Sequence, residues 1–180
     1  MTPAIGYGLQ GSQGLDKLVQ TGVKWFLVLS GDANTNIPYI RQHVHGYKIV
    51  LRLMKEGVVH QDPIRIGQEA AQLWHEWGDD PNIIIQIANE LSLWYEFGVP
   101  QNEQWYAESK EGWQEQAQWW DFATQAFSLA QPFAAMVGPN NSPGHMEDSP
   151  WRDHDDGSVT KLDWYGEQHC NASIQRNDYI

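Results

Sequence analysis

The residue best placed to do chemistry in this chain is a carboxylate that follows directly on an apolar run. Ile83-Ile84-Ile85-Gln86-Ile87-Ala88 leads into Asn89-Glu90. A carboxyl group at the rim of such a run is partly desolvated, which raises its pKa toward the value a general acid needs. Asn89 beside it carries both a donor and an acceptor, suited to holding a hydroxyl-bearing substrate near the reacting bond. Other apolar runs also carry polar groups at or near their ends: Gln10, Ser30-Gly31-Asp32, Arg52 within the third, Pro139-Asn140-Asn141 and His169. Arg52 could equally pair with an acid inside the fold, and a lone histidine such as His169 beside a strand is often a satisfied core residue. The chain has 10 Trp and 7 Tyr, and aromatic faces stack on sugar rings. Trp94, Tyr95 and Trp164 lie near run ends, where a platform would serve, whereas Trp74, Trp77, Trp113 and Trp120 recur at helical spacing and read as packing.

Several other chemistries are excluded. His43 and His45 fall two apart on a predicted helix and face different directions, and His154-Asp155-Asp156 reads as a solvated loop, so no metal is expected. Gly6-Tyr7-Gly8 lacks the third glycine of a dinucleotide turn, and no phosphate-loop motif occurs, so no cofactor is expected. The single Cys170 can form neither an internal disulfide nor a thiolate zinc site. With 11 Lys plus Arg against 23 Asp plus Glu, the net charge is −12, which opposes a nucleic-acid partner. No stretch reaches 18 apolar residues and no signal peptide opens the chain, so neither a membrane partner nor a localisation is indicated. The sequons at Asn140 and Asn171 matter only in a glycosylating host.

These residues must be positioned by elements that the patterning makes visible. Six β-rich runs alternate with helix-like segments, the arrangement of βα units around a parallel sheet. The runs are 4–10, 23–30, 48–54, 82–90, 134–138 and 162–170. A short amphipathic segment carries Leu15, Leu18 and Val19 and stops at Gly22. Asn36-Ile37-Pro38 is a cap-like start with proline in the first turn of a helix that ends near Gly46. Asp62-Pro63 opens a third helix with Ile66, Ala70, Leu73 and Trp77 on one face and Gly78 as its stop. Trp113, Ala117, Trp120, Thr124 and Phe127 predict a long helix, and the 82–90 run reads as a strand buried on both faces. Residues 139–161 show no helical period. The expected fold is an α/β (β/α)₈ TIM barrel, incomplete, with about six βα units in one domain over 1–180, truncated before strand seven; sites gather at the carboxyl end of such barrels.

Ile83 to Glu90, with Leu91-Ser92-Leu93-Trp94-Tyr95-Glu96 after it, resembles the fourth strand of the clan A type retaining glycoside hydrolases, the cellulase-like group, in which an Asn-Glu pair ends strand four. Thr21-Gly22-Val23-Lys24-Trp25 is similar to that family's approach to strand two, Val50-Leu51-Arg52 to its third strand, and Asp163-Trp164-Tyr165-Gly166-Glu167-Gln168-His169 to its sixth. The resemblance implies Glu90 as acid/base, Asn89 as the contact to the sugar 2-hydroxyl, Arg52 as an orienter of the carboxylates and His169 as a hydrogen-bonding site residue. The implied reaction needs two carboxylates about 5–5.5 Å apart. The family carries its nucleophile on strand seven, and no residue here matches it; Glu167 shares a strand face with His169 and has no precedent as a substitute. The implied activity is retaining O-glycoside hydrolysis of a poly- or oligosaccharide, with the 180 residues alone expected to be inactive and to self-associate through open barrel edges. The alternatives are a non-catalytic carbohydrate-binding or structural protein and a smaller α/β enzyme of another chemistry.

Overall fold

The structure, a computed structural model, describes residues 8–9, 14–89, 91, 93–107 and 109–138. Five strands, β1 (Gly8–Leu9), β2 (Trp25–Leu29), β3 (Lys48–Arg52), β4 (Ile83–Gln86) and β5 (Met136–Val137), form one sheet in the order β1-β2-β3-β4-β5. Every neighbouring pair is parallel. The helices α1 (Leu15–Gln20), α2 (Ala33–His43), α3 (Pro63–Glu76) and α6 (Lys110–Ala130) fall between successive strands, and two short helices, α4 (Trp94–Phe97) and α5 (Gln104–Ala107), lie in the connection from β4 to α6. The protein is therefore α/β with a parallel sheet. Among the described strands the order does not reverse, and right-handed crossovers then place successive helices on one face.

Register sorts the strand residues into two faces. Phe26, Ile49 and Ile83 stand in one row and Val28, Leu51, Ile85 and Met136 in another. All seven belong to a core cluster with Ile37 and Ile40 of α2, Ile66 and Trp74 of α3, and Trp113 and Trp120 of α6. The opposite face carries Leu27, Val50 and Ile84 in one row and Leu29, Arg52, Gln86 and Val137 in the next. Both faces of β4 are buried, as its near-continuous Ile run requires.

Helix α3 begins as its sequence dictates. The Asp62 side chain accepts from the Ile64 N–H at 3.0 Å, Pro63 takes the first turn, and Gly78 just past the end has φ +76°. In α6, Trp113, Ala117, Trp120, Thr124 and Phe127 are all fully buried, while the Ser109 hydroxyl caps the Gly112 N–H at 3.1 Å.

Two boundaries differ most from expectation. Helix α2 starts at Ala33, directly from a 3₁₀ turn over Ser30–Asp32, so Pro38 is inside the helix and Asn36 is a buried helical residue instead of a cap. Pro38 forgoes the bond to the carbonyl four residues back, and burial of Ala33, Ile37 and Ile40 offsets the loss. Strand β4 is paired only to Gln86, short of the 82–90 run expected; the last bond on its β3 side is Leu53 N–H to the Gln86 carbonyl at 2.9 Å. β3 stops at Arg52, so the chain after Gln86 has no strand there with which to continue. The first run is described only at Gly8–Leu9, and the sixth lies outside the described residues.

The amino end of the sheet is held by Asp80, in the turn from α3 to β4. Its Oδ2 accepts from Arg41 Nη2 at 2.9 Å and from the Tyr47 hydroxyl at 2.6 Å, while Oδ1 accepts from the Asn82 N–H at 2.8 Å. Arg41 Nη2 also donates to the Trp77 carbonyl at 2.6 Å. Burial raises the Asp80 pKa, but the bonds from Tyr47, the Asn82 backbone and Arg41 outweigh it and hold the carboxyl below its ordinary value. A depressed folded pKa contributes stability that is complete above the unfolded value, about 3.9, and is lost as pH falls through the folded one. Asp80→Asn is expected to cost about 2 kcal/mol at pH 7 and to flatten the acid limb. Urea unfolding across pH 2–7 checks this; an unchanged acid limb in the variant would contradict it.

Candidate functional site at the carboxyl end of the sheet

The last paired row, Leu29, Arg52, Gln86 and Val137, is where the opposite face of the sheet turns from apolar to polar. Arg52 and Gln86 are directly opposite in register, and Arg52 Nε donates to Gln86 Oε1 at 2.9 Å. Gln86 is 1% exposed and its Nε2 is buried with no partner, whereas Arg52 is half-buried. Beneath this pair the row Leu27, Val50 and Ile84 is wholly apolar. The site therefore has a low-dielectric floor, with a guanidinium and an amide at its rim. Such a setting strengthens any charge interaction made there.

The connections that leave the strand ends are stitched together. The Met54 N–H donates to Ser30 Oγ at 3.2 Å, joining the segments after β3 and β2. The Gly57 N–H donates to the Tyr95 carbonyl at 2.7 Å, joining the segments after β3 and β4. Gly98, at φ +104°, permits this approach: a Cβ there would lie 3.0 Å from Gly57 Cα and 3.1 Å from His60 Nδ1.

The β4 connection is aromatic. Trp94 is half-buried, its backbone N–H donates to Gln104 Oε1 at 2.6 Å, and its ring stands edge-on to Tyr95 at 5.5 Å. Tyr95 is exposed, as is Trp105, which stands edge-on to Tyr106 at 6.0 Å. The Tyr106 hydroxyl donates to Glu115 Oε2 at 3.3 Å. Burial first, and the Glu115 carboxylate next, push the Tyr106 phenol above its ordinary value, so it remains a neutral donor. His60 Nε2 is 3.6 Å from Glu115 Oε1.

Of the residues expected from sequence, Arg52 lies in the last paired row, and half-buried Asn89 follows two buried residues, Ile87 and Ala88, beyond it. Trp94 and Tyr95 sit together on α4 in the same connection. Glu90, Trp164, Glu167 and His169 lie outside the described residues. Trp74, Trp113 and Trp120 are buried in the core and Trp77 is partly buried against it, in keeping with their packing role. His43 stacks on Tyr39 at 4.1 Å at the end of α2, and the His45 carbonyl accepts from Lys24 Nζ. Among the described residues, no three His, Cys, Asp or Glu side chains gather as a metal site, and no helix is long and apolar enough to cross a membrane.

Gln86 was not among the sequence candidates. Its signal was faint: one amide inside an otherwise aliphatic run. Its partner, Arg52, is set by strand register, which a single strand's pattern does not contain. Comparison with family models, with curated proteins and with solved structures finds no match for this chain.

Proposed function

We propose that this protein is a retaining O-glycoside hydrolase of the cellulase-like type, acting on a poly- or oligosaccharide, with Glu90 as its acid/base. The observation that carries this reading is the polar row Arg52–Gln86 at the carboxyl end of a parallel sheet, four residues before Glu90 in the chain. The uninterrupted strand order supports a barrel, because a doubly wound sheet reverses its order at a switch point, and the barrel reading takes these strands as the first five of eight. In that setting Glu90 protonates the departing glycosidic oxygen while a strand-seven carboxylate, which no residue of these 180 matches, bonds to the anomeric carbon; Glu90 then deprotonates the water that displaces that carboxylate, Asn89 holds the sugar 2-hydroxyl, and Arg52 orients the carboxylates. Trp94, Tyr95 and Trp164 supply aromatic faces to the sugar, and His169 a further hydrogen bond.

The test is binding. Soluble cellotetraose, xylotetraose and mannotetraose are titrated while tryptophan emission is followed. One of them is expected to shift the emission, and the joint change of Trp94→Ala and Trp164→Ala to abolish that response with far-UV circular dichroism unaltered. A response retained in the double variant would remove both residues from the site. Binding without turnover is expected of these 180 residues on either reading, because no residue here matches the nucleophile; turnover would exclude the non-catalytic carbohydrate-binding alternative.

A further inference from the structure

Gln86 occupies a position where a plain apolar side chain would have packed without difficulty. Ile84 lies two residues before it on the same face, Leu29 and Val137 share its row, and Ile87 and Ala88 after it are buried. Instead the chain places an amide there, 1% exposed, whose Nε2 reaches no acceptor. A buried donor without a partner is destabilising, so packing does not explain this residue. What it does supply is a carbonyl to Arg52. Arginine has donors only, so the amide oxygen must face it and the Nε2 is turned away.

We propose that Gln86 is a positioning residue: it fixes the Arg52 guanidinium by accepting from Nε while leaving the arginine's charge intact. The guanidinium is a rigid planar fork. Once Nε–H is committed to Gln86, the orientation of the Nη edge is set. A glutamate at 86 would hold the same edge equally well but would set a negative charge against the guanidinium and cancel much of its field. A neutral acceptor separates position from charge, as a residue serving a nearby carboxylate or an oxygen-rich ligand requires. The inference rests on the glycosidase reading for its ligand, a sugar, but not for the hold of Gln86 on Arg52.

The experiment compares the full chain with Gln86→Leu and Gln86→Glu. The first measurement is the solvent exchange of the Arg52 Nε–H by nitrogen-15 NMR. Gln86→Leu is expected to retain the wild-type thermal midpoint within a few degrees and to speed this exchange by about tenfold or more; Gln86→Glu should restore slow exchange. The second measurement is the Kd for whichever of the three tetraoses the wild type binds. Gln86→Glu, though it holds Arg52, should weaken binding by about tenfold, and Gln86→Leu should weaken it as well. Unchanged exchange in Gln86→Leu overturns the positioning role. Wild-type affinity in Gln86→Glu overturns the need for a neutral acceptor. If the wild type binds none of the sugars, the glycosidase reading fails by itself, and the exchange ratio still decides whether Gln86 positions Arg52.

Discussion

Replacing Gly67 with alanine is expected to lower the thermal midpoint by roughly 2–12 °C, even though the residue lies within helix α3. Alanine is favoured over glycine within a helix by about 1 kcal/mol, so local propensity alone forecasts a gain. The packing forecasts the reverse. A Cβ on Gly67 would stand 2.2 Å from the Ala123 carbonyl oxygen and 2.9 Å from the Ala126 Cβ, both on α6. The first obstacle is backbone, which cannot rotate aside. Relief requires the two helices to separate, which loosens α6 where Trp120, Ala123 and Phe127 are fully buried. Overpacking of this kind costs about 1–3 kcal/mol, occasionally more, and at this chain length each kcal/mol moves the midpoint by roughly 2–4 °C. Gly31 is the control. Nothing lies within 4 Å of its would-be Cβ, so Gly31→Ala should change stability by no more than about 0.5 kcal/mol. A stabilised Gly67→Ala would show that α3 and α6 do not approach as described.

Helices with strong local signals were legible in the sequence. Asp62-Pro63 and Gly78 bound α3 because caps act through the nearest few residues, and the buried stripe of α6 follows from spacing alone. Helix α2 was misplaced because proline is commonest in a first turn. Its start at Ala33 is governed by the 3₁₀ turn before it and by buried Ile37 and Ile40, which no cap rule contains. The 82–90 run reads as a strand buried on both faces, which holds for the paired Ile83–Gln86, but pairing ends where the neighbouring strand ends, at Arg52. The same long-range dependence hid Gln86. Arg52 and Gln86 are 34 residues apart, and only register brings them into one hydrogen bond. The tie from Asp80 to Arg41 and Tyr47 spans comparable separations and was likewise unreadable.

The largest functional effect expected of a single group is at Glu90. As the general acid of a retaining glycosidase, it must carry its proton near the operating pH, and such groups contribute typically 10²–10⁴-fold in rate. Two causes of a raised pKa can be named: the buried Ile87 and Ala88 that precede Glu90 in the chain, and a net charge of −12. For a group whose folded pKa is raised, the proton remains bound above the unfolded value, and ionising it at higher pH costs stability. Glu90→Gln should therefore gain stability relative to the wild type as pH rises from the unfolded carboxyl value through the folded one, and keep that gain at pH 8. The direct measurement is the titration of the Glu90 side-chain carboxyl carbon by carbon-13 NMR in the folded protein, assigned by its disappearance in Glu90→Gln. The predicted result is a midpoint above the ordinary glutamate value of about 4.3; a midpoint at or below that value would contradict the assignment of Glu90 as the general acid.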